Sequence, residues 1–113
     1  MKKSVSVYDL LFEVQDPLGK KIRTTKTYWE KIKKLKHPEL KHGISETKIT
    51  LTNPTEISQS VTDSTIYLYV RKIKEYDILV VTAKILNGDG FIVTVYQTRE
   101  YKHKGKLVWQ KIK

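Results

Sequence analysis

The feature that most constrains this chain is the stretch from Asp77 to Leu86, apolar at nearly every position. So short an apolar run, rich in β-branched residues, reads as a strand buried on both faces and therefore central in a sheet. Asn87-Gly88-Asp89-Gly90 follows it, and Asn-Gly is the strongest short hairpin signal. Residues 91–99 then alternate, which assigns Phe91, Val93 and Val95 to one face and Ile92, Thr94, Tyr96 and Thr98 to the other. Residues 65–71 alternate too, with Ile66, Leu68 and Val70 against Tyr67, Tyr69 and Arg71. Residues 57–61 and 106–112, the latter with Trp109, add two more expected strands.

The first half reads differently. Residues 4–12 and 20–24 are short extended runs, and Asp16-Pro17-Leu18-Gly19 between them is a turn, so a β-hairpin is expected. Thr27-Tyr28-Trp29-Glu30 has capping-box spacing, and Tyr28, Ile32 and Leu35 continue it as a short helix over about 27–36. Pro38 suits the first turn of a second helix, with Leu40, Ile44, Thr47 and Leu51 as its inner stripe and Asn53-Pro54 as its end. A hairpin, two short helices and an antiparallel sheet make an α+β domain. At 113 residues, residues 1–113 form one such domain.

Charge supplies the functional clue. Lys and Arg number 22 against 12 Asp and Glu, a formal net of +10. The excess falls in two blocks: residues 20–42 hold nine basic and two acidic side chains, and residues 71–113 hold ten and four. Clustered cations gain most from a polyanion, whose bound counterions they release. A solvated lysine-rich surface is the plainer alternative. There is no cysteine, hence no disulfide, thiolate nucleophile or Cys-based metal site. His37 and His42 are five apart, not the four that place two imidazoles on one helix face, and no cofactor is expected. With no leader and no apolar run of membrane-spanning length, the expected setting is cytoplasmic, with no membrane partner.

A metal-independent ribonuclease needs a base, an acid and donors for phosphorane charge. His37 is the candidate general acid or base, with Glu39 orienting or helping it; Arg71 would bind phosphate, and Thr94 and Tyr96 would hydrogen-bond the reacting group. Lys31, Lys34, Lys72 and Arg99 are candidate phosphate contacts, and Tyr67 and Tyr69 candidate base platforms. Each has an ordinary reading beside it. His37 can cap a helix, Glu39 can favour a helix start, Arg71 can pair with a carboxylate, and strand tyrosines and threonines suit any sheet.

The ordered series Asp16-Pro17-Leu18-Gly19 with Ile22 and Thr24 or Thr27, Trp29 with Ile32, His37-Pro38-Glu39-Leu40, Asn53-Pro54 with Ile57, Ser60 and Asp63, Tyr67 with Tyr69, and Phe91-Ile92-Val93-Thr94-Val95-Tyr96 resembles the small phage- and bacterial-type BECR nucleases, the barnase, EndoU, colicin and RelE-like group. The likeness spans about residues 14 to 109. It departs at Lys31, where similar sequences often carry His, and at Val95, where they carry a smaller residue. The resemblance implies a hairpin, a helical pair and a curved four-stranded antiparallel sheet. It also implies RNA cleavage by 2′-OH attack, often as a toxin, with RNA as substrate and an acidic antitoxin or immunity protein as partner. The alternatives are a non-catalytic nucleic-acid-binding domain and a protein-interaction module of a phage or mobile element.

Overall fold

The computed structural model describes residues 9–36, 42–102 and 105–112. In chain order the elements are β1 (Leu10–Gln15), β2 (Lys21–Thr25), α1 (Lys26–Lys31) with a π-helical turn over Ile32–Lys36, α2 (Ile44–Thr52), β3 (Glu56–Gln59), β4 (Ile66–Lys74), β5 (Asp77–Leu86), β6 (Asp89–Thr98) and β7 (Lys106–Gln110). The class is α+β with two short helices, as expected. The sheet is larger than expected: one open seven-stranded sheet in the order β1-β2-β6-β5-β4-β3-β7. The hairpin is part of it, because Lys21, Ile22 and Arg23 of β2 pair in parallel with Asp89, Gly90 and Phe91 of β6. This corrects the four-stranded antiparallel sheet. Two segments so far apart in sequence carry no local signal of their pairing.

The hairpin turn forms where its residues require it. The Asp16 carboxylate accepts from Leu18 N at 2.9 Å and Lys20 N at 2.7 Å, and Gly19 takes φ +86. Gly90 is needed for another reason: a Cβ there would lie 2.9 Å from Ile85 Cγ1 and 3.2 Å from the Lys21 carbonyl. Only a bare α-carbon lets β2 approach β6 so closely.

Helix α1 is capped two residues earlier than the capping-box spacing indicates. Thr25, in extended conformation, accepts from Tyr28 N at 3.1 Å. Thr27 instead reaches Asp9, 3.3 Å away. In α2 the threonines satisfy themselves: Thr47 Oγ1 donates to Gly43 O and Thr50 Oγ1 to Glu46 O, at 3.0 and 2.8 Å. Both are fully buried. Bonding back to the helix's own carbonyls removes the cost of sealing a hydroxyl. Pro38 and Leu40, expected in this helix, lie outside the described residues, as do residues 4–8 of the first expected strand.

Both helices pack on one face of the sheet. There Phe12, Ile22, Trp29, Ile32, Leu51, Ile57, Tyr69, Leu79, Val81, Ile92 and Val95 form a single buried cluster. The alternation expected for 91–99 breaks inside β6. Thr82 pairs with Thr94 but Ala83 pairs with Ile92, so Val93 is an extra, bulged residue. Ile92 and Val95 therefore both point to the core, while Phe91 is 44% exposed. A β-bulge flips the face of everything beyond it, and periodicity alone does not reveal it.

Candidate functional site

Side chains directly opposite each other on neighbouring strands share a face, so the register sorts the candidate residues. Tyr69 faces Val81 and Val95, and Arg71 faces Leu79 and Gln97; these rows lie on the helix side. Thr82 with Thr94, Val80 with Tyr96, and Lys72 with Ile78 and Thr98 lie on the far side. The expected catalytic group is therefore divided. Arg71 is on one side of the sheet and Thr94 and Tyr96 are on the other, so no phosphate group touches all three. His37 and Glu39 lie outside the described residues.

The helix-side members have structural partners. Arg71 Nη1 donates to Glu46 Oε1 of α2 at 2.7 Å, a pair that is largely buried at the guanidinium. Tyr69 is fully buried, and its hydroxyl donates to Asp16 Oδ2 at 2.6 Å. Burial, with the Asp16 carboxylate second, pushes the Tyr69 phenol far above its ordinary value. It cannot stack a base. Tyr67 packs half-buried against the same core, its hydroxyl accepting from Gln59 at 3.3 Å, with Lys20 Nζ 5.7 Å from the ring centre. Lys31 and Lys34 are exposed on the helical segment. Lys31 lies 5.9 Å from the centre of the Tyr28 ring, and Lys34 lies 3.9 Å from Glu30. They share no surface with Tyr96.

The far side has what the helix side lacks. At its lower end, where β4 turns into β5 and β6 runs out, a cleft of about 590 Å³ is lined by Tyr76, Tyr96, Thr98, Arg99, Glu100, Tyr101 and Lys102. A second lobe of about 470 Å³ shares five of these and adds Lys72, Glu75 and Ile78. Lys72, Tyr96 and Arg99, expected from the sequence as site residues, thus meet here. Burial pushes the Tyr96 phenol above its ordinary value. Thr94, next along the far face, has a buried hydroxyl with no hydrogen bond among the described residues.

Tyr76, Tyr101 and Lys102 are additional to the expected set. Tyr76 occupies the two-residue turn between β4 and β5 with φ 62, a left-handed backbone that a bulky side chain rarely adopts. It is 60% exposed, and the Arg99 guanidinium lies over its ring at 4.9 Å. The turn is anchored from the helix side, where Asp77 receives His42 Nε2 at 3.0 and 3.1 Å. An aromatic between two strands, where Gly, Asn or Asp is usual, was the signal available in the sequence. Strained exposed residues of this kind concentrate at functional sites.

Among the described residues no helix is long and apolar enough to cross a membrane. Comparison with protein-family models, curated proteins and solved structures returns no match. The functional reading therefore rests on the residues themselves.

Proposed function

We propose that this is a binding domain for single-stranded nucleic acid, with the far-side cleft as its contact surface. The observation that carries the reading is the gathering of Tyr76, Tyr96 and Tyr101 with Arg99 and Lys102 around one cleft. Unpaired bases stack on aromatic rings whatever their sequence, while cations follow the backbone phosphates. The formal net charge of +10 adds long-range attraction for the same partner. The rings and cations gathered here account for binding, and the carboxylates Glu75 and Glu100 also line the cleft, so cleavage is the alternative that the test below separates from binding.

The test is fluorescence anisotropy with an end-labelled RNA oligonucleotide in chelator, titrated from about 50 to 200 mM salt. Affinity should fall as salt rises, and the RNA should stay intact on a gel. Tyr76→Ala and Arg99→Ala should each weaken binding at least about fivefold, as loss of one stacked base does. Arg71→Ala, on the helix side, should bind as well as the parent. Absence of salt-sensitive binding, or equal binding by all three variants, overturns the reading. Cleavage to 2′,3′-cyclic ends would replace it with the ribonuclease reading.

A further inference from the structure

We infer that the cleft takes one nucleotide of a strand, with the base in the tyrosine lobe and the phosphate in the lysine lobe. This rests on the nucleic-acid reading above and narrows it to a unit of recognition. The two lobes differ in what they add to their common walls. The larger adds Tyr96 and Thr98, so it is walled by three phenol rings with a neutral hydroxyl beside them. The smaller adds Lys72, Glu75 and Ile78, so its lining is the more charged of the two. A flat, mostly apolar base gains from the first environment, and a solvated anion from the second.

Arg99 stands where the lobes meet and suits both halves of the ligand. Its guanidinium carbon lies over the Tyr76 ring, 4.9 Å from the ring centre. A stacked guanidinium still has its N–H edge available, and that edge is the part that grips phosphate oxygens in pairs. Lys72 is held 3.3 Å from Glu75, but the two side chains are 55% and 72% exposed. So exposed a pair contributes little, so a phosphate can draw the ammonium away at small cost. The register puts Lys72 in the same cross-strand row as Ile78 and Thr98, beside the row of Val80 and Tyr96. The row of Lys72, Ile78 and Thr98 therefore runs from the phosphate lobe into the base lobe, and Tyr96 lies in the next row of the same sheet face, about two residues away along the strand.

The experiment is competition against the labelled RNA by uridine 5′-monophosphate, uridine and inorganic phosphate, in the intact protein and in two variants. The nucleotide should compete about tenfold better than either fragment, the gain expected from adding a charge-assisted contact. Lys72→Ala should weaken the nucleotide at least about threefold more than the nucleoside. Tyr76→Ala should weaken both alike, since both carry the base. Both side chains are exposed, so both variants should fold, and circular dichroism is the check. If inorganic phosphate competes as well as the nucleotide, or if Lys72→Ala leaves the nucleotide-to-nucleoside ratio unchanged, the two-lobe assignment is wrong. RNA that binds with salt sensitivity but is not displaced by mononucleotide removes this inference alone. RNA that does not bind removes the parent reading as well.

Discussion

Strand β4 passes between two regions of opposite character, and alternate residues along it serve one or the other. On the helix side, Tyr69 and Arg71 are closed in: the first is sealed against Asp16, the second is paired with Glu46. On the far side, Lys72 reaches a cleft shared with Tyr76, Tyr96 and Arg99. Both regions are built from tyrosine and cationic side chains, the types that suggest nucleic-acid contact. What separates them is the parity of the strand, which decides whether a phenol is a structural pin or a reachable ring. Residue type alone therefore nominates too many sites.

Two tyrosines test that division. Tyr69→Ala removes a fully buried ring and leaves the Asp16 carboxylate without its 2.6 Å donor. The expected loss is about 4 kcal/mol of folding stability, read from the urea midpoint. Asp16 also holds the hairpin turn through Leu18 N and Lys20 N, so the damage should extend to hydrogen exchange at those amides. Any Tyr69→Ala protein that remains folded at low temperature should still bind RNA. Loss of RNA affinity in that folded fraction would mean the two faces are not independent.

Tyr76→Gly is the opposite case. A non-glycine residue with φ 62 carries strain that glycine relieves. Against this stand the lost contact with Arg99 and the greater freedom of glycine in the unfolded chain. The balance is a stability change within about 1 kcal/mol of zero, on the favourable side, together with weaker RNA binding. A marked loss of stability would show that Tyr76 holds the turn together and that its position has no functional reason. Stability kept while affinity falls identifies a residue retained for contact.

Much of this was legible in the sequence, and the limits were physical. Asp77–Leu86 declared itself as the central strand because apolar density is a local property, and Asn87-Gly88 gave the hairpin after it. The parallel pairing of β2 with β6 was hidden because it depends on the close approach at Gly90, not on either segment alone. The site was half visible. Lys72, Tyr96 and Arg99, candidates from residue type alone, line the far-side cleft together. Arg71 was grouped with Thr94 and Tyr96 because the sequence does not state which face of β4 shares a side with which face of β6. The bulge at Val93 reversed the faces inferred from alternation on β6. Tyr76 was overlooked because a turn residue is not expected to bear a large ring.

The smallest expected effect concerns a second aspartate that, like Asp16, collects hydrogen bonds on one carboxylate oxygen. Asp63, in the loop between β3 and β4, accepts from Thr65 N at 3.0 Å and from Thr65 Oγ1 at 2.6 Å. The hydroxyl and then the amide of Thr65 hold its carboxyl below the ordinary value of 3.8. A carboxyl depressed in the folded state stabilises the fold above its unfolded pKa, and that contribution disappears as pH falls through the lower, folded value. Asp63→Asn keeps an acceptor but has no proton to gain. The stability gap between parent and variant should therefore be widest near neutral pH and close below about pH 4. Asp63 is fully solvated, and water competes for the same bonds, so the gap should be small beside the cost of losing the sealed Tyr69–Asp16 contact. Urea midpoints for both proteins near neutrality and in acid decide it. A gap that stays constant with pH would mean the Thr65 bonds do not distinguish carboxylate from amide, and burial alone would then account for the difference between the two aspartates.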